Sequence, residues 1–237
     1  MVYNYNRLFV GFILCIVIYL SYIFKLDRYL VALIFVISII DLKKSNFFSN
    51  SSLPLILVII ILLLFNQYLN LNLDYYLIIF HISLIFLSFF FIKLNNVFFL
   101  INIIFFIYFL YTLSLSDRFL FYICFIVSFI NDTSAYIFGK FLKGPLIIPS
   151  ISPKKTWSGT SLSSILSFFI LYYLEFNIFV SLLLSISLFL GDIYFSYIKR
   201  INSLKDFSNL LSSHGGILDR VDSIFFFLII LHLYIIF

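Results

Sequence analysis

A carboxylate, a hydroxyl and an ammonium group occur at helical spacing near the C-terminal end of the chain. Asp192 lies inside the apolar run 177–198, where a charge is costly and usually marks a functional site. Ser196 and Lys199 follow at spacings of four and seven residues, so a helix would place them on the same face as Asp192. A carboxylate near the end of the run, paired with Lys199 or Arg200, is the alternative interpretation.

A second acidic group follows in a polar segment closer to the C-terminus. Asp219 and Asp222 are three residues apart, and two carboxylates on one helix face repel each other unless a cation lies nearby. Oxygen ligands of this kind suit Mg²⁺, which takes one or two carboxylates and completes its shell with substrate phosphates. Just before them, His214, Gly215 and Gly216 would let backbone N–H groups approach an anion at a helix N-terminus.

Basic residues accompany these carboxylates in and beside the two polar loops of the chain, 139–158 and 200–222. The candidates for phosphate binding are Lys199, Arg200, Lys205 (followed by Asp206) and Arg220, and, in the first loop, Ser152, Lys154, Lys155 and Thr156. Cation-binding carboxylates beside phosphate-binding bases are what phosphoryl or nucleotidyl transfer requires. Contact with anionic lipid is the alternative interpretation of the two lysines in the first loop.

Other polar residues inside apolar runs carry weaker signals. Asp132 lies in the run 119–138 and is a candidate catalytic residue, although a helix-end carboxylate bonded to Thr133 or Ser134 would look the same. The two remaining histidines and both cysteines have neither a sequence partner nor metal-ligand spacing, so we interpret them as structural. They are His81, His232, Cys15 and Cys124.

The composition indicates what kind of protein must position these residues. Of 237 residues, 64% are hydrophobic and 11% charged, and the mean hydropathy is +1.18. Soluble domains are about half apolar and about a quarter charged. Because so apolar a chain would expose more apolar surface than water tolerates, we expect an integral membrane protein in a lipid bilayer, with no nucleic-acid partner.

Apolar runs broken by charges and Asn clusters predict an all-α, polytopic fold with about nine transmembrane helices. The predicted spans are 8–24, 29–40, 53–65, 75–92, 97–115, 119–138, 159–174, 177–198 and 223–237. The second is too short to cross a bilayer alone and is the weakest. The first has no small-residue cleavage site after it, so we expect it to be retained. N-terminal helices, 1–118, would precede the C-terminal catalytic helices and their two loops, 119–237.

Basic residues predict the orientation of these spans. With the N-terminus inside, the cytoplasmic segments contain twelve Lys and Arg residues and the outer segments three, in agreement with the positive-inside bias. Both polar loops then lie on the cytoplasmic face, because two spans separate them. We therefore expect a protein of the cell inner (plasma) membrane with a cytoplasmic active site. An organelle membrane, and a homodimer formed through the spans, stay open.

The C-terminal polar segment resembles the signature of the phosphatidate cytidylyltransferase (CDP-diacylglycerol synthase) family. The matching positions are Ser196, Lys199, Arg200, Lys205, Asp206, Ser208, Leu211, His214, Gly215, Gly216, Ile217, Asp219, Arg220, Val221 and Asp222. Upstream, the segments that begin at Asp132 and Ser152, and the pair Gly191-Asp192, are similar to further family segments. The resemblance covers about residues 130–225, whereas the first 120 residues match only as hydrophobic spans.

The resemblance implies a reaction and its ligands. In that family the phosphate of phosphatidic acid attacks the α-phosphorus of CTP, pyrophosphate leaves, and Mg²⁺ is required. Asp192, Asp219 and Asp222 would be metal ligands, and a second, monovalent cation such as K⁺ stays open. Because the nucleophile is the substrate's own phosphate, Ser196 would position groups rather than attack. The catalytic candidates are Lys199, Arg200, Lys205, Asp206, His214, Arg220, Asp132 and Ser196, and the substrate-binding candidates are Ser152, Lys154, Lys155, Thr156, Gly215 and Gly216.

Three positions depart from that family's pattern, and three other functions compete with it. The family usually has Pro at the position of Ser212 and Glu at the positions of Ser158 and Phe195. Loss of the two Glu carboxylates would weaken metal or CTP binding. The competing functions are a CTP-dependent polyprenol or phytol kinase, an ion transporter or channel with Asp132 and Asp192 on its path, and a non-catalytic scaffold descended from the enzyme.

Overall fold

The computed structural model describes residues 2–47, 74–91, 94–210 and 215–236. Within them the chain forms nine α-helices and one β-hairpin. The elements are α1 (Val2–Ile23), α2 (Asp27–Lys44), α3 (Asp74–Phe90), α4 (Asn95–Ser116), α5 (Arg118–Leu142), β1 (Leu146–Ile148), β2 (Ser152–Thr156), α6 (Trp157–Tyr173), α7 (Ile178–Ile201), α8 (Leu218–Val221) and α9 (Ile224–Ile236).

Each predicted span that falls on described residues corresponds to a helix with similar bounds. The predicted span at 53–65 lies outside the described residues. The weakest prediction, 29–40, was too short, because α2 extends from Asp27 to Lys44 and so contains Asp41. Among the described residues, three helices, α4, α5 and α7, are long and apolar enough to cross a membrane. The protein is therefore helical, with several apolar helices.

The first polar loop contains a hairpin that the all-α prediction did not include. Strands β1 and β2 pair antiparallel, with Leu146 opposite Thr156 and Ile148 opposite Ser152, and the register is irregular between these pairs. Helix α6 begins directly after β2, at Trp157. The hairpin thus fixes the residues from Ser152 to Thr156 on a strand that leads into a helix.

The chain divides into two compact units. The first comprises the described parts of Met1–Arg118 and Leu204–Asp219, together with Ile236, and the second comprises Phe119–Ser203 and Arg220–Ile235. The N-terminal helices and residues 204–219 of the second polar loop therefore belong to one unit.

In the first unit, α2 packs on α4 with one buried face. Leu30, Ile34, Ser38 and Asp41 recur at helical spacing along α2, and all four are buried. Helix α4 is buried along most of its length, since its phenylalanines and leucines face neighbouring helices. One face of α2 thus carries a hydroxyl and a carboxylate into an otherwise apolar core.

In the second unit, α6 packs on α7, and small residues let α6 approach α5. A Cβ atom on Gly159 would lie 2.6 Å from the carbonyl oxygen of Ala135 and 3.0 Å from the Cα of Gly139. Such contacts are too close for any residue but glycine at this position. Helix α7 meets α9 through aromatic rings, with Tyr194 stacked on Phe225 at 5.5 Å. This packing fixes the face of α7 that carries Asp192.

Candidate active site

The second unit brings Asp192 together with a lysine from the hairpin. The Asp192 carboxylate forms an ion pair with Lys155 on β2. The Ser196 hydroxyl, one helical turn further along α7, donates to Asp192 Oδ1 at 3.5 Å. The predicted alignment of Ser196 with Asp192 is therefore confirmed. Lys155 was predicted separately, as a phosphate ligand in the first loop. The sequence alone did not predict that it lies close to Asp192.

Asp132 belongs to the same electrostatic neighbourhood in the second unit. Its carboxylate interacts with the charges of Asp192, Lys155 and Arg220. Two carboxylates, one lysine and one arginine thus lie close together, and they come from α5, α7, β2 and α8. The neighbouring hydroxyl of Thr133 instead donates to the backbone of its own helix, at 2.8 Å from the carbonyl oxygen of Phe129. The predicted phosphate ligands Lys155 and Arg220, the predicted catalytic residue Asp132 and the predicted metal ligand Asp192 therefore belong to one charged group.

The hydroxyl groups of the first loop organise the start of α6. Thr156 is the N-cap residue, and its Oγ1 accepts a hydrogen bond from Gly159 N at 3.2 Å. Ser158 Oγ accepts from Gly144 N at 3.1 Å, which fastens the start of the hairpin to α6. Lys154 is exposed, whereas the Lys155 side chain is one-fifth exposed. These bonds hold the strand from which Lys155 reaches Asp192.

The end of α7 also contacts the hairpin. Arg200 Nε donates to the carbonyl oxygen of Ile151 at 2.9 Å, while the rest of the Arg200 side chain is exposed. Lys199, one residue earlier, is buried with 7% of its surface exposed. Ser152 begins β2, directly after Ile151. The basic end of α7 and the strand with the two lysines therefore lie side by side in the second unit.

A second close approach lies where α7 passes the segment before α9. A Cβ atom on Gly191 would overlap the backbone carbonyl oxygen of Asp222. The Asp222 carboxylate is buried, and its Oδ1 accepts from the Ser223 N–H at 2.9 Å. The Ser223 hydroxyl is bonded to Ser128 at 2.6 Å. Glycine at position 191, next to Asp192, therefore lets the backbone at Asp222 pack directly on α7.

In the first unit, Asp219 binds backbone N–H groups. Its Oδ2 accepts from Gly216 N at 2.9 Å and from Phe207 N at 3.1 Å. Gly215 has a φ of +78°, a left-handed conformation that favours glycine. Helix α8 is a single turn, and Asp222 lies after its last residue, so one regular helix does not carry both Asp219 and Asp222 as we expected. His214 lies outside the described residues.

The structure adds one carboxylate that sequence reasoning missed. Asp41 was assigned to the end of a span, but its carboxylate accepts from Ser208 Oγ at 2.5 Å and from Leu218 N at 3.1 Å. The helical spacing of Leu30, Ile34 and Asp41 was the signal that could have found it.

Residues near Asp41 also line an open cleft of about 430 Å³ in the first unit. Its walls come from the end of α2, with Lys44 and Ser45, and from the second polar loop, with Asp206 and Ser208 among others. Lys205 and Asp206 are exposed. The cleft thus places an N-terminal lysine beside the second polar loop.

Two of the departures from the family pattern have a visible structural setting. Ser158 fastens the hairpin, as described above. Phe195 is fully buried and packs edge-on against Phe225, with ring centroids 5.3 Å apart. A carboxylate at this position would meet an apolar environment. The third departure, Ser212, lies outside the described residues.

The donor atoms of the second unit suit a hard cation. Asp132 and Asp192 offer carboxylate oxygens, which are the ligands Mg²⁺ prefers, and the Lys155 ammonium shows that a cation is accommodated at Asp192. Within the described residues, no group of three or more His, Cys, Asp or Glu side chains could hold a metal ion. A site with one or two carboxylates is what Mg²⁺ uses when substrate phosphates complete its shell.

Comparison with known proteins gives a consistent result. A family model described as the cytidylyltransferase family matches residues 5–237. Phosphatidate cytidylyltransferase from Rickettsia conorii is 37% identical over 139 residues, which cover 51% of this chain and 60% of that protein. The protein of the same name from Rickettsia bellii is 42% identical over 109 residues, which cover 39% of this chain and 47% of the relative.

A third bacterial protein is also similar to this chain. Phosphatidate cytidylyltransferase from Staphylococcus aureus strain COL is 38% identical over 122 residues, which cover 47% of this chain and 47% of that protein. The chain thus spans between about half and three-fifths of the length of these curated relatives.

Proposed function

We propose that this chain, which belongs to the cytidylyltransferase family, transfers a cytidylyl group from CTP to phosphatidic acid. A phosphate oxygen of phosphatidic acid would attack the α-phosphorus of CTP, and the bond from that phosphorus to the β-phosphate would break. The products are CDP-diacylglycerol and pyrophosphate. The names of the relatives and the charged groups around Asp192 support this reaction over other cytidylyl transfers.

The observation that carries the proposal is the ion pair between Asp192 and Lys155, with the Ser196 hydroxyl beside it. Nucleotidyl transfer has little covalent chemistry for the protein to perform, so catalysis depends on positioning and on charge. Lys155, on the strand beside Asp192, would bind a phosphate of CTP. Lys154, Lys199, Arg200 and Lys205 would contribute further positive charge around the triphosphate and the lipid phosphate.

In the second unit, Asp192 is the first candidate ligand for Mg²⁺, and Asp222 is a further ligand that we propose. Asp219, which the sequence also predicts as a ligand, lies in the first unit, where its Oδ2 accepts from Gly216 N and Phe207 N. Bound Mg²⁺ supplies positive charge that neutralises the phosphate oxygens in the transition state. Asp132 would orient Lys155 and Arg220 through its charge. The Ser196 hydroxyl would hold the Asp192 carboxylate in place, since it donates to one of its oxygens.

We also propose a membrane arrangement for the reaction. Helices α4, α5 and α7 would cross the bilayer, and the remaining apolar helices would raise the total to about nine spans. The excess of basic residues in the predicted inner segments supports a cytoplasmic site in the inner (plasma) membrane. CTP is soluble and phosphatidic acid is a lipid, so a site at the cytoplasmic surface would reach both. A homodimer through the spans is compatible with this arrangement.

Labelled CTP tests the reaction and separates it from its nearest rival. Purified protein in detergent is mixed with phosphatidic acid and Mg²⁺, together with CTP labelled at either the α- or the γ-phosphorus. Cytidylyl transfer moves only the α-label into lipid, whereas a CTP-dependent lipid kinase moves only the γ-label. A protein that binds CTP but labels no lipid with either phosphorus would contradict the proposal. When a polyprenol is added as a second acceptor, transfer of the γ-label to it would also contradict the proposal.

A further inference from the structure

Asp41 is a buried carboxylate that the proposed chemistry does not use. It lies near the end of α2, it has no solvent exposure, and it is 167 residues from Ser208 in the sequence. A buried carboxylate is costly unless hydrogen bonds satisfy it. The hydrogen-bond partners of Asp41 show which part of the chain it holds in place.

Both carboxylate oxygens of Asp41 accept hydrogen bonds from the second polar loop. Oδ1 accepts from Ser208 Oγ at 2.5 Å, and Oδ2 accepts from Leu218 N at 3.1 Å. Ser208 Oγ in turn accepts from Leu210 N at 3.2 Å. One side chain of α2 therefore joins two stretches of the loop, residues 204–210 and 215–219, which we call the paired stretches.

Gly216 shows how tightly the paired stretches fit around this carboxylate. A Cβ atom on Gly216 would overlap Asp41 Oδ2 and lie 2.6 Å from Oδ1. The carboxylate thus occupies the space that a side chain at position 216 would need. Because the Asp41 side chain is fully buried, it has little room to move away.

Asp219 also bonds the two paired stretches to each other. Its Oδ2 accepts from Phe207 N and from Gly216 N. Phe207 also stacks on Phe99 of α4, with ring centroids 5.5 Å apart and ring planes 3° from parallel. The paired stretches are thus held by two carboxylates and fixed to the helices of the first unit by an aromatic contact.

We infer that Asp41 is a positioning residue for cytidylyl transfer, which holds the paired stretches in the geometry that the reaction needs. The inference rests on the proposed function, because it assigns a role in that reaction. The paired stretches carry Lys205, a proposed phosphate ligand, together with Asp206 and Asp219, which the sequence predicts as a catalytic residue and a metal ligand. Loss of the bonds to Asp41 would therefore displace these residues, whereas the buried Asp41 carboxylate is occupied by its own two partners.

Replacement of Asp41 by alanine and by asparagine tests this role. Asp41→Ala removes both acceptors, so we expect kcat to fall roughly 10- to 100-fold, as is common when a residue that orients ligands is lost. KM for CTP should change less, within about threefold, because the ligands remain present but are misplaced. Asp41→Asn keeps the shape, accepts from Leu218 N and donates to the Ser208 hydroxyl. We expect its kcat to stay within about threefold of the wild-type value.

Asp27→Ala is the matched control. Asp27 is a buried carboxylate at the opposite end of α2 from Asp41. It forms an ion pair with Arg118 at 2.5 Å. Its loss also removes a buried ion pair, so it reports a general loss of stability. Hydrogen–deuterium exchange of peptides from the paired stretches gives a readout that does not depend on activity. We expect faster exchange there in Asp41→Ala but not in Asp27→Ala.

The outcomes separate the inference from the proposed function. A wild-type kcat in Asp41→Ala, or equal exchange in both alanine variants, would overturn the role of Asp41 even if the wild-type protein transfers label normally. A lowered kcat with faster exchange, restored in Asp41→Asn, supports it. If the wild-type protein labels no lipid, the proposed function fails. Faster exchange confined to Asp41→Ala would then support only the structural part of the inference, that Asp41 fixes the paired stretches.

Discussion

The carboxylates of the two units have different partners. In the second unit, Asp192 faces an ammonium group and a hydroxyl, Lys155 and Ser196. In the first unit, Asp41 and Asp219 accept hydrogen bonds from backbone N–H groups of the second polar loop. A carboxylate paired with a lysine side chain can exchange that partner for a metal ion when a substrate binds the lysine. A carboxylate that accepts from backbone N–H groups instead fixes the conformation of a chain segment. We therefore expect Asp192 to contribute charge to catalysis and Asp41 to hold the geometry of the second polar loop.

The largest effect should come from Asp192→Asn. The amide keeps the size of the side chain but loses the charge that pairs with Lys155 and would bind Mg²⁺. We expect transfer to fall by about 1,000-fold, similar to the loss of an electrostatic group at the reacting atoms. Initial rates of lipid labelling from α-labelled CTP measure this.

Glu175→Gln is the control for Asp192→Asn, because it neutralises an exposed carboxylate in the loop between α6 and α7 of the same unit. It should leave the rate unchanged. Equal rates of lipid labelling by Asp192→Asn and the wild-type protein would show that the carboxylates of the two units do not differ in this way.

Lys155→Met should have the next largest effect, a decrease of roughly 10- to 100-fold in kcat/KM for CTP. The substitution keeps an unbranched side chain but leaves Asp192 without the cation it faces, and removes a proposed phosphate ligand. Lys155→Arg keeps the charge and should retain more activity. Lys140→Met removes an exposed lysine at the end of α5 and should act as the wild-type protein does. An unchanged kcat/KM in Lys155→Met would contradict the proposed role.

Gly216→Ala and Gly191→Ala test the close packing around one glycine in each unit. Each added methyl group would overlap a fixed acceptor, which is the Asp41 carboxylate in the first unit and the Asp222 carbonyl oxygen in the second. We expect each to lower the free energy of unfolding by about 1–3 kcal/mol. Gly139→Ala should cost less, because its added methyl group would closely approach a single side-chain atom, Thr156 Oγ1 at 2.9 Å, with the next atom 3.8 Å away. Thermal unfolding in detergent measures all three. A Gly139→Ala effect as large as the other two would contradict the importance of the fixed acceptors.

The smallest effect should come from Ser196→Ala. The hydroxyl donates one long hydrogen bond, 3.5 Å, to Asp192 Oδ1. Loss of one such bond is worth about 0.5–1.5 kcal/mol, so we expect a decrease of roughly two- to tenfold in kcat. A complete loss of transfer in a folded Ser196→Ala protein would instead indicate that Ser196 takes part in the chemistry, against our interpretation.

The helices were predictable from the sequence because their signal is local. Charges and Asn residues interrupt the apolar runs, and the helix bounds follow those interruptions to within a few residues. The hairpin was not predictable in the same way, since β1 has three residues and β2 contains a proline and two lysines. Neither strand shows the alternation that marks a half-buried strand.

The sequence predicts residue types for the site but not their pairings, and the roles of Asp192, Lys155 and Asp219 stay predictions. The partner of Asp192 lies 37 positions earlier in the sequence, on the hairpin, and was not foreseen. Asp41 was assigned to a span end because the predicted span stopped at 40. Helical spacing could have indicated that Asp41 is buried, but not its partners, which lie more than 160 residues away.

The most direct test of the account is a Mg²⁺ titration of label transfer from α-labelled CTP to phosphatidic acid. The proteins compared are the wild type, Asp192→Asn and Asp41→Ala. We predict that the wild-type protein requires Mg²⁺, that Asp192→Asn transfers almost nothing at any Mg²⁺ concentration, and that Asp41→Ala transfers label more slowly than the wild type but still measurably. Transfer that does not require Mg²⁺, or an Asp192→Asn rate no lower than that of Asp41→Ala, would contradict the account.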